Sequence, residues 1–207
     1  MLVILKLKNE IKECRVCSDL PHGIRPVVQF SAGSTLLLVG QAPGRRVHET
    51  GIPFNDPSGD RLRDWLGIDR EIFYDDQQVA IVPMGFCYPG TGKSGDFPPR
   101  PECADTWRER VLSELKAVEL TVVIGRYALD YHLPSTRGQT VTQIVKNWQA
   151  YWPNIIPLPH PSPRNNRWLK NNPWFEAEVL PVLKGQVASI LDTSPHTCHH
   201  PSHHTIP

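Results

Sequence analysis

Net charge is nearly absent from this chain. Its 22 lysines and arginines stand against 21 aspartates and glutamates, which leaves +1 at pH 7 with histidine neutral. The global balance therefore does not announce a polyanionic partner, and any basic surface must come from local clustering. Long apolar runs are absent as well. None approaches the roughly 20 residues that span a membrane, so a membrane partner is not expected. The first ten residues, MLVILKLKNE, start apolar but lack a charged leading region and a small-residue cleavage site. We read them as an opening strand or docking segment of a cytoplasmic protein. The glycine-rich stretch at residues 40–44 carries no Gly-Lys-Ser/Thr and no G-x-G-x-x-G, which argues against a phosphate-cradling nucleotide enzyme.

What is present fits one domain. The chain has 207 residues, enough to bury a sizeable core. Hydrophobic residues make up 40% and charged residues 21%, the balance of an ordinary soluble globular protein. The 21 prolines exceed average usage, so long uninterrupted helices are confined to a few segments. From about Ser189 the composition changes: DTSPHTCHHPSHHTIP holds five of the nine histidines and almost no apolar bulk. We therefore expect a folded domain over residues 1–187 and a disordered His/Pro-rich tail over 188–207. Cys198 falls in that tail and is left out of the site.

Four apolar segments read as strands. Leu36–Val39 ends at Gly40, Val79–Phe86 ends near Cys87, Glu119–Gly125 reads ELTVVIG, and NIIPLP runs into a loop with His160. Between the first two, Asp56 caps a predicted helix with Pro57 at its first position and Gly67 at its end; Leu62, Trp65 and Leu66 share one face. YPGTGKSGDFPPRPEC is a long polar loop. Trp107, Val111, Leu112 and Leu115 recur at helical spacing, and RYALDYHL starts another helix. Asn172 to Val187 is helical in composition, with Pro173 at its start and Pro181 set to kink or split it. Strands alternating with helices predict an α/β fold with a mainly parallel sheet. Such sheets carry their sites at the strand C-terminal ends, so the loops after Val39 and Ile156 converge on one pocket.

Cys14 and Cys17 form a C-x2-C pair, and Cys87 and Cys103 a looser pair with 15 residues between them. In an intracellular chain this points to metal or cluster binding more than to disulfides. Two thiolates from a single turn and two from elsewhere in the fold would close one four-ligand centre, zinc or iron–sulfur. Buried free thiols beside a redox pair remain the alternative.

Taken in order, these elements resemble the uracil-DNA glycosylase superfamily, most closely its iron–sulfur family four branch, over roughly Cys14 to Leu183. GQAPG at Gly40–Gly44 is similar to the family's GE[AG]PG. Pro53–Phe54 follows as in its GRPF, then a G-x-x-L helix start at Gly59 and Leu62. A strand-end cysteine, a second cysteine 16 residues on, the unit VVIGRYAL, and HPSPRN at His160–Asn165 complete the series. The resemblance implies a three-layer α/β/α fold around a central, mainly parallel four-stranded sheet. It implies a [4Fe-4S] cluster on Cys14, Cys17, Cys87 and Cys103, and a monomer acting on DNA that contains a deaminated base. It also implies hydrolysis of the N-glycosidic bond of uracil or a related deaminated base.

Within that reading each residue has a role. His160 donates to the base oxygen that gains charge, and the Gln41 and Ala42 backbone adds donors beside Gly40. Phe54 stacks on the flipped base and Asn55 reads its edge. Ser162, Arg164, Asn165 and Arg167 contact the DNA. The chain also departs from the family. Ala42 stands where the major uracil-specific branch has a water-positioning Asp, and Gln41 where family four has Glu. Val47 replaces an acidic residue of some relatives, leaving Glu49 as the nearest carboxylate. Pro83 stands where the family has a base-reading Asn, so Asn55 or the Met84–Gly85 backbone would take over. Gly44 matches the bulky Tyr that excludes thymine. These departures favour a second reading, a relative that binds a base or lesion without cutting it. A cysteine-centred redox or zinc protein is a third, but it leaves GQAPG and HPSPRN unexplained.

Overall fold

The computed structural model describes residues 2–191. The tail predicted from residue 188 falls almost wholly outside them. The order is α1 (Leu2–Lys12), β1 (Leu36–Val39), α2 (Arg45–Thr50), α3 (Pro57–Leu66), α4 (Arg70–Phe73) and β2 (Val79–Ile81). A small hairpin follows, β3 (Thr91–Gly92) and β4 (Gly95–Asp96), then α5 (Pro101–Cys103), a π-helical turn Ala104–Arg108 and α6 (Glu109–Leu112). The last third holds β5 (Leu120–Ile124), α7 (Arg126–His132), α8 (Val141–Lys146), β6 (Ile155–Leu158), α9 (Asn166–Asn171) and α10 (Leu180–Ile190).

Four strands form one parallel sheet in the order β2-β1-β5-β6. Leu36 pairs with Val79 on one side and with Leu120 on the other, and Ile124 pairs with Leu158 at the far edge. All four residues of β1 are buried. Their side chains alternate between two cores. Leu36 and Leu38 pack with Leu62, Trp65 and Leu66 of α3 and Leu183 and Val187 of α10. Leu37 and Val39 pack with Ile4, Leu7 and Ile11 of α1, Val111 of α6 and Ala128 of α7. Period-2 alternation under helices on both faces is why these strands read as continuous apolar runs. The result is the expected three-layer α/β/α fold with a four-stranded parallel sheet. The chain leaves β1 for one neighbour, β2, and later returns to the other, β5, so a crevice opens where their C-terminal ends diverge.

Several expectations change. The N-terminal segment is a helix, not a strand: Ile4, Leu7 and Ile11 fall at helical spacing and are buried, while Leu2, Val3 and Leu5 stay exposed. The second strand stops at Ile81, two residues before Pro83 breaks the pattern. The 88–103 loop contains the β3–β4 hairpin. The C-terminal helix begins as a π-helical turn, Phe175–Val179, and becomes α-helical at Leu180, one residue before Pro181. A wide turn is one way to seat a residue that cannot donate to the preceding turn. α10 runs to Ile190 and Leu191 is buried, past the boundary expected at 187. Among the described residues no helix is long and apolar enough to cross a membrane.

The predicted caps of α3 are present. The Asp56 side chain accepts from Gly59 N–H at 2.9 Å, Pro57 sits in the first turn, and Gly67 ends the helix at φ 71°. Gly59 has a second reason to lack a side chain: a Cβ there would stand 1.7 Å from the Phe54 carbonyl oxygen. Gly to Ala inside a helix ordinarily stabilises by about 1 kcal/mol. Here the backbone clash outweighs that gain, so Gly59→Ala should destabilise by about 2 kcal/mol or more in urea unfolding. A neutral or stabilising effect would contradict this packing.

Candidate active site

A pocket of about 500 Å³ opens at the C-terminal edge of the sheet. Its wall takes Gly40 to Gly44 after β1, Pro83 after β2, His160 and Ser162 after β6, and Phe54 from the loop before α3. The structure thus brings together loops separated by more than a hundred residues of sequence. The carbonyls of Gly40 and Gln41 accept from Met84 and Gly85 N–H, both at 2.9 Å, which locks the first loop against the chain leaving β2. Gly125, at the end of β5, leaves room for His160, whose Cβ lies 3.8 Å from where a glycine-to-alanine Cβ would stand.

His160 is held from three directions. Ser162 N–H donates to its Nδ1 at 3.2 Å, and Asn165 Nδ2 donates to its carbonyl at 2.7 Å. The prolines at 159, 161 and 163 stiffen the backbone around it. Because Nδ1 accepts, the neutral ring carries its proton on Nε2, free to donate. Burial pushes the imidazole below its ordinary value, against the opposing pull of the Asp56 and Asp96 carboxylates. The ring is therefore a neutral N–H donor inside the pocket.

Other predicted residues take varied places. The Phe54 ring lies over Gly40, with Cζ 3.4 Å from a Cβ built there, and meets Phe73 edge-on at 6.1 Å. It serves the core on one side and the pocket on the other. Its backbone is left-handed at φ 52°, the one such non-glycine residue among the described residues. Asn55 lies outside the pocket wall, its Oδ1 facing Arg70 Nη2 at 3.4 Å. Glu49 is also outside, on α2 and paired with Arg45 at 3.0 Å. Val47 and Arg164 line the pocket, whereas Arg167 is exposed on α9 away from it. Asn165 lines it too, with its amide spent on the His160 loop. Gln41 turns its side-chain amide to the Phe97 carbonyl at 3.2 Å.

Two carboxylates of the pocket wall escaped the sequence reading as site residues. Asp56 was visible only as a helix cap, and Asp96 sat in a stretch read as loop. The signal for Asp96 was the Gly92-Lys-Ser-Gly95 turn, a two-residue connection between glycines.

The four cysteines come to one small apolar cavity, walled by Ile11, Leu20, Phe86 and Trp107. Two sulfurs already accept N–H donors: Trp107 Nε1 to Cys14 Sγ and Phe86 N–H to Cys103 Sγ, each at 3.3 Å. Burial pushes the Cys103 thiol up to about 12 and the Cys87 thiol up to about 11. As free groups these two stay protonated, as buried structural thiols do. Four sulfurs, N–H donors to them and an apolar wall are a donor set that fits an iron–sulfur cluster. The gathering is loose: among the described residues no three His, Cys, Asp or Glu side chains stand close enough for one metal ion. The free space of that cavity is about 20 Å³.

The fold is thus a parallel α/β sheet with a pocket at its switch point, walled by an imidazole and a phenylalanine ring. The family model for the uracil DNA glycosylase superfamily matches residues 27–184, and the chain belongs to that superfamily. The match starts after Cys14 and Cys17. The chain is also similar to the solution NMR structure of a candidate uracil DNA glycosylase from Methanosarcina acetivorans. The two are 17% identical, the likeness covers 76% of this chain and 93% of that one, and the TM-score is 0.48.

The His160 assignment has a pH consequence. Its folded value lies below its unfolded one, so stability present above about pH 6.5 is lost as pH falls from there through the lower folded value. Nitrogen-15 shifts of His160 should show the Nε2–H neutral pattern and titrate at lower pH than those of a free histidine. A ring that titrates at or above the free-histidine value would contradict the Ser162 contact and the desolvation.

Proposed function

We propose that this chain is a DNA glycosylase that hydrolyses the N-glycosidic bond of uracil, or of a related deaminated base, in DNA, acting as a monomer. The observation that carries the reading is His160 in the pocket wall with its Nδ1 accepting from Ser162 N–H, which leaves Nε2–H as the donor. The base leaves as an anion, so its carbonyl oxygen gains charge in the transition state. A fixed donor aimed at that oxygen stabilises the leaving group more than the ground state. The Gln41 and Ala42 N–H groups add donors on the same wall, and the Phe54 ring stacks on a base swung out of the duplex. Arg164 at the rim meets the phosphates, while Ser162 orients the histidine.

The four cysteines would hold a [4Fe-4S] cluster, as in the family four branch. Such a cluster would tie the segment after α1 to the Cys87–Cys103 region by iron–thiolate bonds; its part is structural. Purified protein should be brown, with iron and sulfide in equal amounts, and Cys14→Ser should lose both. Colourless protein holding one zinc would contradict this.

Oligonucleotides with a single uracil, single- and double-stranded, test the activity through alkali cleavage of abasic sites. Wild-type protein should generate them, and His160→Ala should slow the step by about a hundredfold or more. Unchanged rates in His160→Ala would remove the ring from the mechanism. Ala42 and Pro83 favour the alternative of a base-binding protein that does not cut. Specific binding with no abasic product would establish that alternative.

A further inference from the structure

The loop Gly40–Gly44 contains no carboxylate, yet a carboxylate faces it from another element. Asp96, on β4, lines the pocket, and its Oδ2 lies 3.7 Å from where a Cβ on Gly44 would stand. We propose that Asp96 is the catalytic carboxylate of this site, the group that orients and deprotonates the water attacking the sugar. The inference rests on the glycosylase reading.

Three sets of contacts hold Asp96 in place. First, its Oδ1 accepts from Thr91 Oγ1 across the hairpin at 2.6 Å. Thr91 Oγ1 is in turn hydrogen-bonded to the Tyr88 hydroxyl, and the Tyr88 ring is buried and stacked on His22 at 5.1 Å. One carboxylate oxygen is thus anchored to a rigid ring while the other is left facing the pocket. Second, Gln41 Nε2 donates to the carbonyl of Phe97, the residue after Asp96. This gives the Glu-to-Gln departure a physical role. A carboxylate at position 41 could not donate to a carbonyl, whereas an amide can. Third, Arg164 reaches the other side of the hairpin: its Nη1 lies 2.6 Å from where a Cβ on Gly95 would stand, and Gly95 has φ +131°. The hairpin is therefore held between the GQAPG loop and the HPSPRN loop.

The position is costly for a DNA-binding surface. A negative group at the rim repels phosphate, so it weakens binding unless it contributes elsewhere. The other pocket carboxylate, Asp56, spends Oδ1 on the α3 cap through Gly59 N–H and turns Oδ2 toward the same point beside Gly44, 4.0 Å from it. Asp56→Asn is therefore the control that separates the two and should keep its rate within about threefold of wild type. In the step proposed, the water oxygen bonds to C1′ and one water proton passes to Asp96. The C1′–N bond breaks, and its electron pair leaves on the base, whose oxygen His160 holds. Asp96 then releases its proton to solvent, and the base anion takes one from solvent.

The test compares single-turnover rates of wild type, Asp96→Asn, Asp56→Asn and Thr91→Val on uracil-containing oligonucleotides from pH 5 to 9. DNA binding is measured separately by fluorescence anisotropy, and folding by thermal melting. Asp96→Asn should lose about a hundredfold or more in rate and bind DNA as tightly as wild type or tighter. Thr91→Val keeps the carboxylate but loosens it, and should lose about tenfold; it carries the test if Asp96→Asn does not fold. An Asp96→Asn rate within about threefold of wild type, or an unchanged rate in Thr91→Val where that variant carries the test, overturns the inference and leaves the glycosylase reading intact. Wild type that makes no abasic sites overturns that reading itself, and the inference with it.

Discussion

Everything at the site depends on β1 being buried on both faces. Leu36 and Leu38 face one core, and Leu37 and Val39 the other, so the strand cannot slip by one residue without exchanging two complete sets of contacts. That fixed strand delivers Gly40 to one point in space. The parallel neighbours β2, β5 and β6 deliver Pro83, Gly125 and His160 to the same edge. A parallel sheet places its strand C-termini side by side, so distant loops meet without any contact between them in sequence.

On that edge the chemistry is divided among short, rigid pieces. His160 has its tautomer set by a single backbone N–H two residues on, and desolvation favours its neutral form. The GQAPG loop holds the floor and, through Gln41, the neighbouring hairpin. Phe54 accepts a left-handed backbone to bring its ring over Gly40, and Gly59 clears the space for its carbonyl. A strained residue supported by a close-packed glycine is the pattern expected of a site rather than of a scaffold.

Much of this was legible in the sequence, for identifiable reasons. Strands buried on both faces leave uninterrupted apolar runs, and α3 announces itself through Asp56, Pro57 and Gly67. HPSPRN marked the imidazole because proline fixes the backbone beside it. The failures also have causes. In α1 the helical spacing of Ile4, Leu7 and Ile11 is masked by apolar residues on the exposed face. The hairpin strands are two residues each, too short to show alternation, so Asp96 was hidden in a loop. Asn55 was expected at the base because it adjoins Phe54, but its side-chain oxygen faces Arg70. Glu49 is close to the GQAPG loop in sequence, but the turn into α2 carries it out to Arg45.

The central claim is that this pocket breaks a base–sugar bond with water. Incubating a uracil-containing oligonucleotide with the protein in oxygen-18 water, then weighing both products, tests it most directly. The account predicts free unlabelled uracil in equal amount to an abasic strand carrying one heavy oxygen on its sugar. Intact DNA recovered with its uracil in place, after binding to the protein, would contradict it.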